Sequence, residues 1–340
     1  MKVLFIGGTG LISEAVSRLA VQRGIELYLF NRGERGEFVP EGAKVIQGDI
    51  RKGAEAREVL KGYEFDVVVD WIAFTPEQVQ LDIELFTGKT KQYIFISSAS
   101  AYQKPQRHYQ ITEETPLVNP YWQYSRDKIA CEELLLEAHR SNGFPVTIVR
   151  PSHTYGVTAI PAALTSWQHP WSLVERIRKG QPLVIHGDGT SLWTLTHNTD
   201  FAKGFVGLLG HAEAIGEAVH ITSDEVLSWN QIYAAIGEAA GREPKVVHIS
   251  TDFIAAHTPA GTADGLIGDQ AVSSVFDNSK IKRLVPDYKA TVQFAEGVKL
   301  SVAWFERHPK LCLMDQEWSK MVDNLISKHG IDPKLLSYYV

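Results

Sequence analysis

The chain has 340 residues, 44% of them hydrophobic, a formal net charge of −6 and two cysteines, Cys131 and Cys312. That length suits one large or two intimate domains with ample core, and no apolar run approaches the ~18 residues of a membrane span. The acidic balance gives no general attraction for nucleic acid, and two cysteines are too few for a disulfide framework or a cysteine metal site.

Val3-Leu4-Phe5-Ile6 is a short continuous apolar run, the pattern of a strand buried on both faces. No basic region precedes it, so it reads as a strand and not a signal peptide; a cytoplasmic location with free thiols is expected. Gly7-Gly8-Thr9-Gly10 follows, and Leu11, Ala15, Val16 and Leu19 then recur at helical spacing up to Gly24. Strand, glycine turn and helix form the dinucleotide-binding arrangement. The glycines permit a tight turn and let a pyrophosphate approach backbone N–H groups at the helix N-terminus. Gly7, Gly8, Thr9, Gly10, Leu11 and Ile12 are therefore the candidate cradle. The spacing is Gly7-x-x-Gly10-x-x-Ser13, with serine where glycine or alanine would let the helix pack closest.

Ile25 to Phe30 reads as a second strand, ending in Asn31-Arg32-Gly33. An acidic residue at this place would hold the adenosine ribose of NAD. Asn31 is uncharged, and Arg32 and Arg35 follow. A guanidinium there suits a 2′-phosphate, so the cofactor is expected to be NAD or NADP, with a lean to NADP; two solvated arginines are the alternative. Lys44 to Gln47 is a third strand, closed by Gly48-Asp49-Ile50, and a short helix spans 54–61. Phe65 to Asp70 is a fourth strand, leading to Trp71, Ile72 and Ala73. A helix starts at Pro76 and ends at Gly88, and Gln92 to Ile96 is the fifth strand. Strands separated by helices of this length pair in parallel through right-handed crossovers, which predicts an α/β, Rossmann-like doubly wound sheet.

The fifth strand runs into Ser97-Ser98-Ala99-Ser100-Ala101-Tyr102, and Tyr124-x-x-x-Lys128 opens a helix with Cys131, Leu134, Leu135 and Ala138 as its apolar side. Tyrosine and lysine four apart share a helix face. An ammonium that close favours phenolate and lowers a tyrosine pKa towards the working pH. Such a phenolate can take a proton from a substrate hydroxyl while hydride leaves the same carbon, or the phenol can protonate a carbonyl as hydride arrives.

These residues carry a family resemblance. The chain resembles the extended short-chain dehydrogenase/reductases, the NAD-dependent epimerase/dehydratase group, over roughly residues 1–308. The matching pieces, in order, are Gly7–Gly10, Asp49-Ile50, Ser97–Tyr102, Ile111–Leu117, Tyr124-x-x-x-Lys128, Arg150–Gly156 and His186–Gly189. The resemblance implies that Tyr124 is the acid–base group, that Lys128 also holds the nicotinamide ribose, and that Ser98, with Ser100 second, polarises the reacting oxygen. It implies cofactor contacts from Asp49, Ile50, Trp71, Ile72, Ala73, Ser97, Pro151 and His153, and substrate contacts from Ser100, Tyr102, His153 and Trp193. Dehydratases of the group carry an Asp-Glu pair after the catalytic serine or threonine; Ala99 and Ser100 stand there, so elimination lacks its acid and base. A homodimer is expected by analogy.

Beyond Gly156 the pattern loosens. Helices are expected over 172–179, 200–209 and 229–240, strands over 183–185 and 218–221, and a mobile glycine-rich loop over 261–268. Residues 1–165 and 196–225 are assigned to the cofactor domain, and 166–195 and 226–312 to a smaller, interleaved substrate domain. Residues 313–340 form an extra tail, whose Trp318, Met321, Leu325 and Ile326 suit a docked helix. Scattered His169, His186 and His197 lack metal-ligand spacing. Relatives acting on nucleotide sugars grip the diphosphate with two arginines. Counting along Gly187-Asp188-Gly189 puts Trp193 at the first, and Leu266-Ile267-Gly268-Asp269 supplies no second; Arg176 and Arg178 sit nearby on what reads as a surface helix. The expected activity is reversible hydride transfer on a sugar hydroxyl or ketone, as epimerase or oxidoreductase, with a free or simply substituted sugar favoured and no metal. The alternative is a nucleic-acid-binding module similar to the chloroplast stem-loop-binding branch, with a vestigial cofactor site; the intact Tyr124 and Lys128 argue against it.

Overall fold

The computed structural model describes residues 1–330. Its centre is a seven-stranded parallel sheet. Read across, the strands are Ala218–Ile221, Val146–Pro151, Thr90–Ile96, Phe65–Asp70, Lys2–Ile6, Glu26–Asn31 and Lys44–Gln47. Val3, Leu4, Phe5 and Ile6 are wholly buried because both faces of this strand are covered. On one side it pairs Ile6 with Phe30, on the other Ile6 with Asp70. The chain order reverses between these two neighbours, so a crevice opens beyond the strand ends at that point, where ligands of open α/β sheets bind.

Helices cover both faces. Val16, Ala20, Phe201, Phe205 and Leu208 pack on one, and Val79, Ile83, Cys131 and Leu135 on the other. A further core lies beyond the strand ends. It joins Trp171, Ile177, Trp229, Ile236, Phe294, Val298, Trp318 and Leu325, and contains the parallel strand pair Leu183–His186 and Val246–Ile249. Ile281 and Leu284, from the helix Ser279–Leu284, pack with the sheet instead.

Two local expectations are corrected. The 261–268 stretch leads into a short π-helical turn, Leu266–Gln270, against Trp122, with Leu266 and Gly268 buried. A Cβ at Gly268 would come within 2.8 Å of the Trp122 Cβ, so the glycine serves close approach there. Arg176 is not a surface residue: it is fully buried, and its guanidinium donates to Pro182 O, Ser319 O and Oγ, and the Asp323 carboxylate. Those bonds dock the helix Gln316–His329, whose Trp318, Leu325 and Ile326 are buried; the tail residues 331–340 lie outside the described residues.

Candidate active site

Gly7 and Gly8 adopt φ of 95° and 90°, and a Cβ at Gly8 would stand 2.6 Å from Leu29 Cδ2, so both the turn and its packing require glycine. Ser13 Oγ accepts from Gly10 N at 2.8 Å, and Ser17 Oγ donates to Gly8 O at 2.8 Å. The serine in the third small position thus stabilises the turn. Asn198 Nδ2 donates to Leu11 O at 2.8 Å, tying the turn to a residue far along the chain.

Before this turn lies a cleft of about 670 Å³. Gly7 through Ile12, Asn31, Arg32, Asp49, Ile50, Trp71, Ile72, Ser97, Lys128 and Pro151 all line it. Two of the expected cofactor residues do not. Ala73 is buried, and its carbonyl accepts from Lys128 Nζ; His153 lines a second cavity. Ser97 reaches the cleft, but its hydroxyl donates to the Glu132 carboxylate, which is itself paired with Arg150 at 2.6 Å. The cleft suits a dinucleotide: Asn31 Nδ2 and Trp71 Nε1, both on residues of its wall, are buried donors without partners among the described residues. At the Asn31 end stand three guanidiniums. Arg32 pairs with Glu34 at 2.6 Å, Arg51 with Asp49 at 3.0 Å, and Arg35 stacks over Phe38.

Lys128 Nζ donates to Ala73 O and Ile96 O, each at 2.7 Å, and lies 5.8 Å from the Tyr124 ring centre. Burial pushes its pKa down to about 8, although Cys131, Asp70 and Glu132 work the other way. The expected lowering of the Tyr124 pKa is absent. Burial raises it, the Ser98 hydroxyl opposes the rise, and the lysine is held by carbonyls instead. At neutral pH the phenol keeps its proton. Ser98 belongs to a hydroxyl chain: Ser125 Oγ donates to Ser100 Oγ at 2.8 Å, and Ser100 and Ser98 Oγ lie 2.9 Å apart. Asn119 Nδ2 holds Ser100 O and Gly268 O.

The second cavity, about 880 Å³, shares Ile12, Ser98, Tyr124, Pro151 and Ser152 with the cleft. Ser100, His153 and Trp193 line it. Trp193 Nε1 donates to His153 Nδ1 at 3.3 Å, which leaves the imidazole proton on Nε2, and burial pushes His153 down to about 4. Trp193 is less available than the sequence suggested, since its ring packs against Trp229 with centroids 5.2 Å apart. Tyr102 does not reach the cavity: it is wholly buried, with its hydroxyl bonded to His220 Nδ1 and the Arg150 guanidinium over its ring. Sequence reasoning missed Trp122, Trp167, Asp269, Asp315 and Glu317, which also line the cavity. Asp70 was missed too; its carboxylate accepts from Ile72 N and Ala73 N and shapes the loop beside the cleft.

Among the described residues no helix is long and apolar enough to cross a membrane, and no group of three or more His, Cys, Asp or Glu is placed to hold a metal ion. A family model described as the NAD dependent epimerase/dehydratase family matches residues 3–222. A chloroplast stem-loop binding protein of 41 kDa from Arabidopsis thaliana is 28% identical over 73% of this chain and 65% of its own length. The 2′-dehydrokanamycin reductase of Streptomyces kanamyceticus is 24% identical over 85% of this chain and 80% of its own. Among solved structures, the epimerase Mth375 of Methanothermobacter thermautotrophicus superposes with a TM-score of 0.73 at 19% identity, covering 92% of this chain and 94% of that one. UDP-glucuronic acid 4-epimerase from Bacillus cereus, in complex with NAD, gives 0.71 at 19% identity over 94% and 99%.

Proposed function

The chain belongs to the NAD-dependent epimerase/dehydratase family, and from that we propose that it interconverts a carbinol and a ketone on a sugar or sugar derivative by hydride exchange. The observation that carries this reading is the position of Tyr124 and Ser98 where the two cavities meet. A nicotinamide cofactor, when bound in the cleft, supplies or accepts the hydride. In the reducing direction the protonated Tyr124 phenol gives its proton to the carbonyl oxygen, while the Ser98 hydroxyl hydrogen-bonds the same oxygen. In the oxidising direction Tyr124 first gives its proton to solvent water in the cleft and then takes that of the carbinol. Lys128, fixed by two carbonyls, closes the cleft beside Tyr124 and is the candidate to hold the nicotinamide ribose. Ala99 and Ser100 put no acid–base pair after Ser98, which favours hydride exchange without loss of water.

A free or simply substituted sugar suits the second cavity better than a nucleotide sugar. Among the described residues no arginine or lysine side chain lines it, Arg176 is committed to the C-terminal helix, and Arg178 pairs with Glu306 and Ala240 O. A diphosphate there would lack its bidentate partners. Following cofactor absorbance with free sugars beside UDP-, GDP- and dTDP-sugars tests both statements. Turnover of free sugars is expected, and micromolar binding with turnover of any nucleotide sugar would overturn the substrate reading. The likeness to a stem-loop binding protein motivates a second reading, RNA binding; a gel-shift with structured RNA at physiological salt is expected to show none.

A further inference from the structure

We propose that the C-terminal helix Gln316–His329 is a specificity element of the substrate cavity, and that it selects a substrate bearing a protonated amine. The proposal rests on the hydride-transfer reading above and deepens it.

Asp315, Glu317, Trp318 and Met321 bring this helix to the cavity wall, and Asp269 reaches the cavity from the Leu266–Gln270 turn. The helix is held firmly. Asp315 caps it through the Trp318 N–H at 2.9 Å and accepts from Ser166 Oγ at 2.7 Å, while its own N–H donates to Ser172 Oγ at 2.8 Å. One turn on, the buried Arg176 grips Ser319 and Asp323. A wall fixed at these points presents its side chains in one arrangement, so ligand recognition there carries little ordering cost.

The charge on this wall is one-sided. Among the described residues, three carboxylates line the cavity, against no lysine or arginine side chain. Asp269 is compensated by the buried Lys104 at 2.8 Å. Asp315 has hydrogen bonds but no ion-pair partner, and Glu317 has neither, among the described residues. His153, kept neutral by burial, adds no positive charge. Trp318 gives an independent sign of a ligand. It is 93% buried in the cavity wall, and its indole N–H has no partner among the described residues. Trp167, on the same cavity, is 74% exposed. An ammonium carries donors only, which match carboxylates, and it is attracted to indole faces. Phosphate or carboxylate on the ligand would meet like charge.

The test uses the full chain loaded with NADP⁺ or NAD⁺ and three disaccharides on one β-1,4 scaffold. These are the glucosamine disaccharide with two free amines, its N,N′-diacetyl form, and cellobiose, titrated calorimetrically at pH 6.5. The diamine is expected to bind at least tenfold tighter than the other two, with the advantage shrinking as salt is raised. Glu317→Gln, at an exposed and unpaired position, should reduce that advantage at least threefold. Equal affinities, no binding by any of the three, or an advantage untouched by Glu317→Gln would overturn the proposal. Binding that discriminates in this way with no change in cofactor absorbance and no epimerisation of any sugar offered would support the amine site and count against the hydride-transfer reading alone.

Discussion

The Arg150 guanidinium and the Glu132 carboxylate form a buried ion pair, Nη2 to Oε2 at 2.6 Å, between the strand that ends at Pro151 and the helix that carries Tyr124 and Lys128. Glu132 also accepts from Ser97 Oγ, and Arg150 Nη1 donates to Glu113 O. Both charges are almost fully removed from water, so each depends on the other. Glu132→Gln strands the guanidinium and is expected to cost about 3–5 kcal/mol in urea unfolding. Arg150→Met combined with Glu132→Leu should cost clearly less than the single change, because no orphaned charge remains. A double variant as damaged as the single one would refute this account.

Tyr124→Phe is expected to leave the fold and cofactor affinity intact and to lower turnover by ~100-fold or more, the scale of lost general acid–base catalysis. Because burial raises the Tyr124 pKa, the reductive reaction should hold its rate through neutral pH and decline only in strong alkali, as the phenol loses its proton. No limb near pH 6.5 is expected from His153, whose pKa lies near 4. Rates measured from pH 5 to 10.5 decide both points.

Lys128 titrates near 8 in the folded chain, below the 10.5 of an unburied lysine. Between those values the folded state has released a proton that the unfolded chain still holds, so stability rises with pH across that window. Below pH 8 the full cost of burying the ammonium is present. Lys128→Met lacks the titration. The difference in unfolding free energy should therefore shift towards the wild type by a few kcal/mol between pH 8 and 10.5. Urea melts at pH 7.5, 9 and 10.5 read the shift; a constant difference would show that Lys128 does not titrate there.

At the Asn31 end of the cleft, calorimetry is expected to give tighter binding for NADP than for NAD. Arg32→Ala should weaken NADP by about tenfold or more, the range of a charge-assisted hydrogen bond, and leave NAD unchanged. Tighter NAD binding in the wild type would mean that Asn31 addresses the ribose and that Arg32 simply stays with Glu34.

The central sheet was legible because its strands are apolar runs of the right length between strong punctuation: the predicted Lys44–Gln47 and Phe65–Asp70 have the observed boundaries. The glycine turn was legible because its meaning lies in short spacings, and Tyr124, Lys128 and Ser98, singled out by spacing and resemblance, line the same cleft as the turn. What escaped is pairing across long separations. Arg176 reads as surface on its own helix, and only Ser319, 143 residues on, makes it a buried anchor. Tyr102 reads as a pocket residue until His220 and Arg150 enclose it. The expected lowering of the Tyr124 pKa failed because burial of the phenol, which the spacing of Tyr124 and Lys128 does not reveal, raises it.

The hydrogen bond from Asn198 Nδ2 to Leu11 O has a consequence for the order of events during synthesis. A nascent chain that has emerged only through residue 165 exposes the whole glycine turn, yet Asn198, the donor that braces it, has not emerged. The sheet at that stage also lacks its border strand, Ala218–Ile221, which pairs with Val146–Pro151. The nucleotide cleft is thus finished late, by residues that follow the first pass of chain through the outer core, and a fragment cut at 165 would carry the motif without its brace.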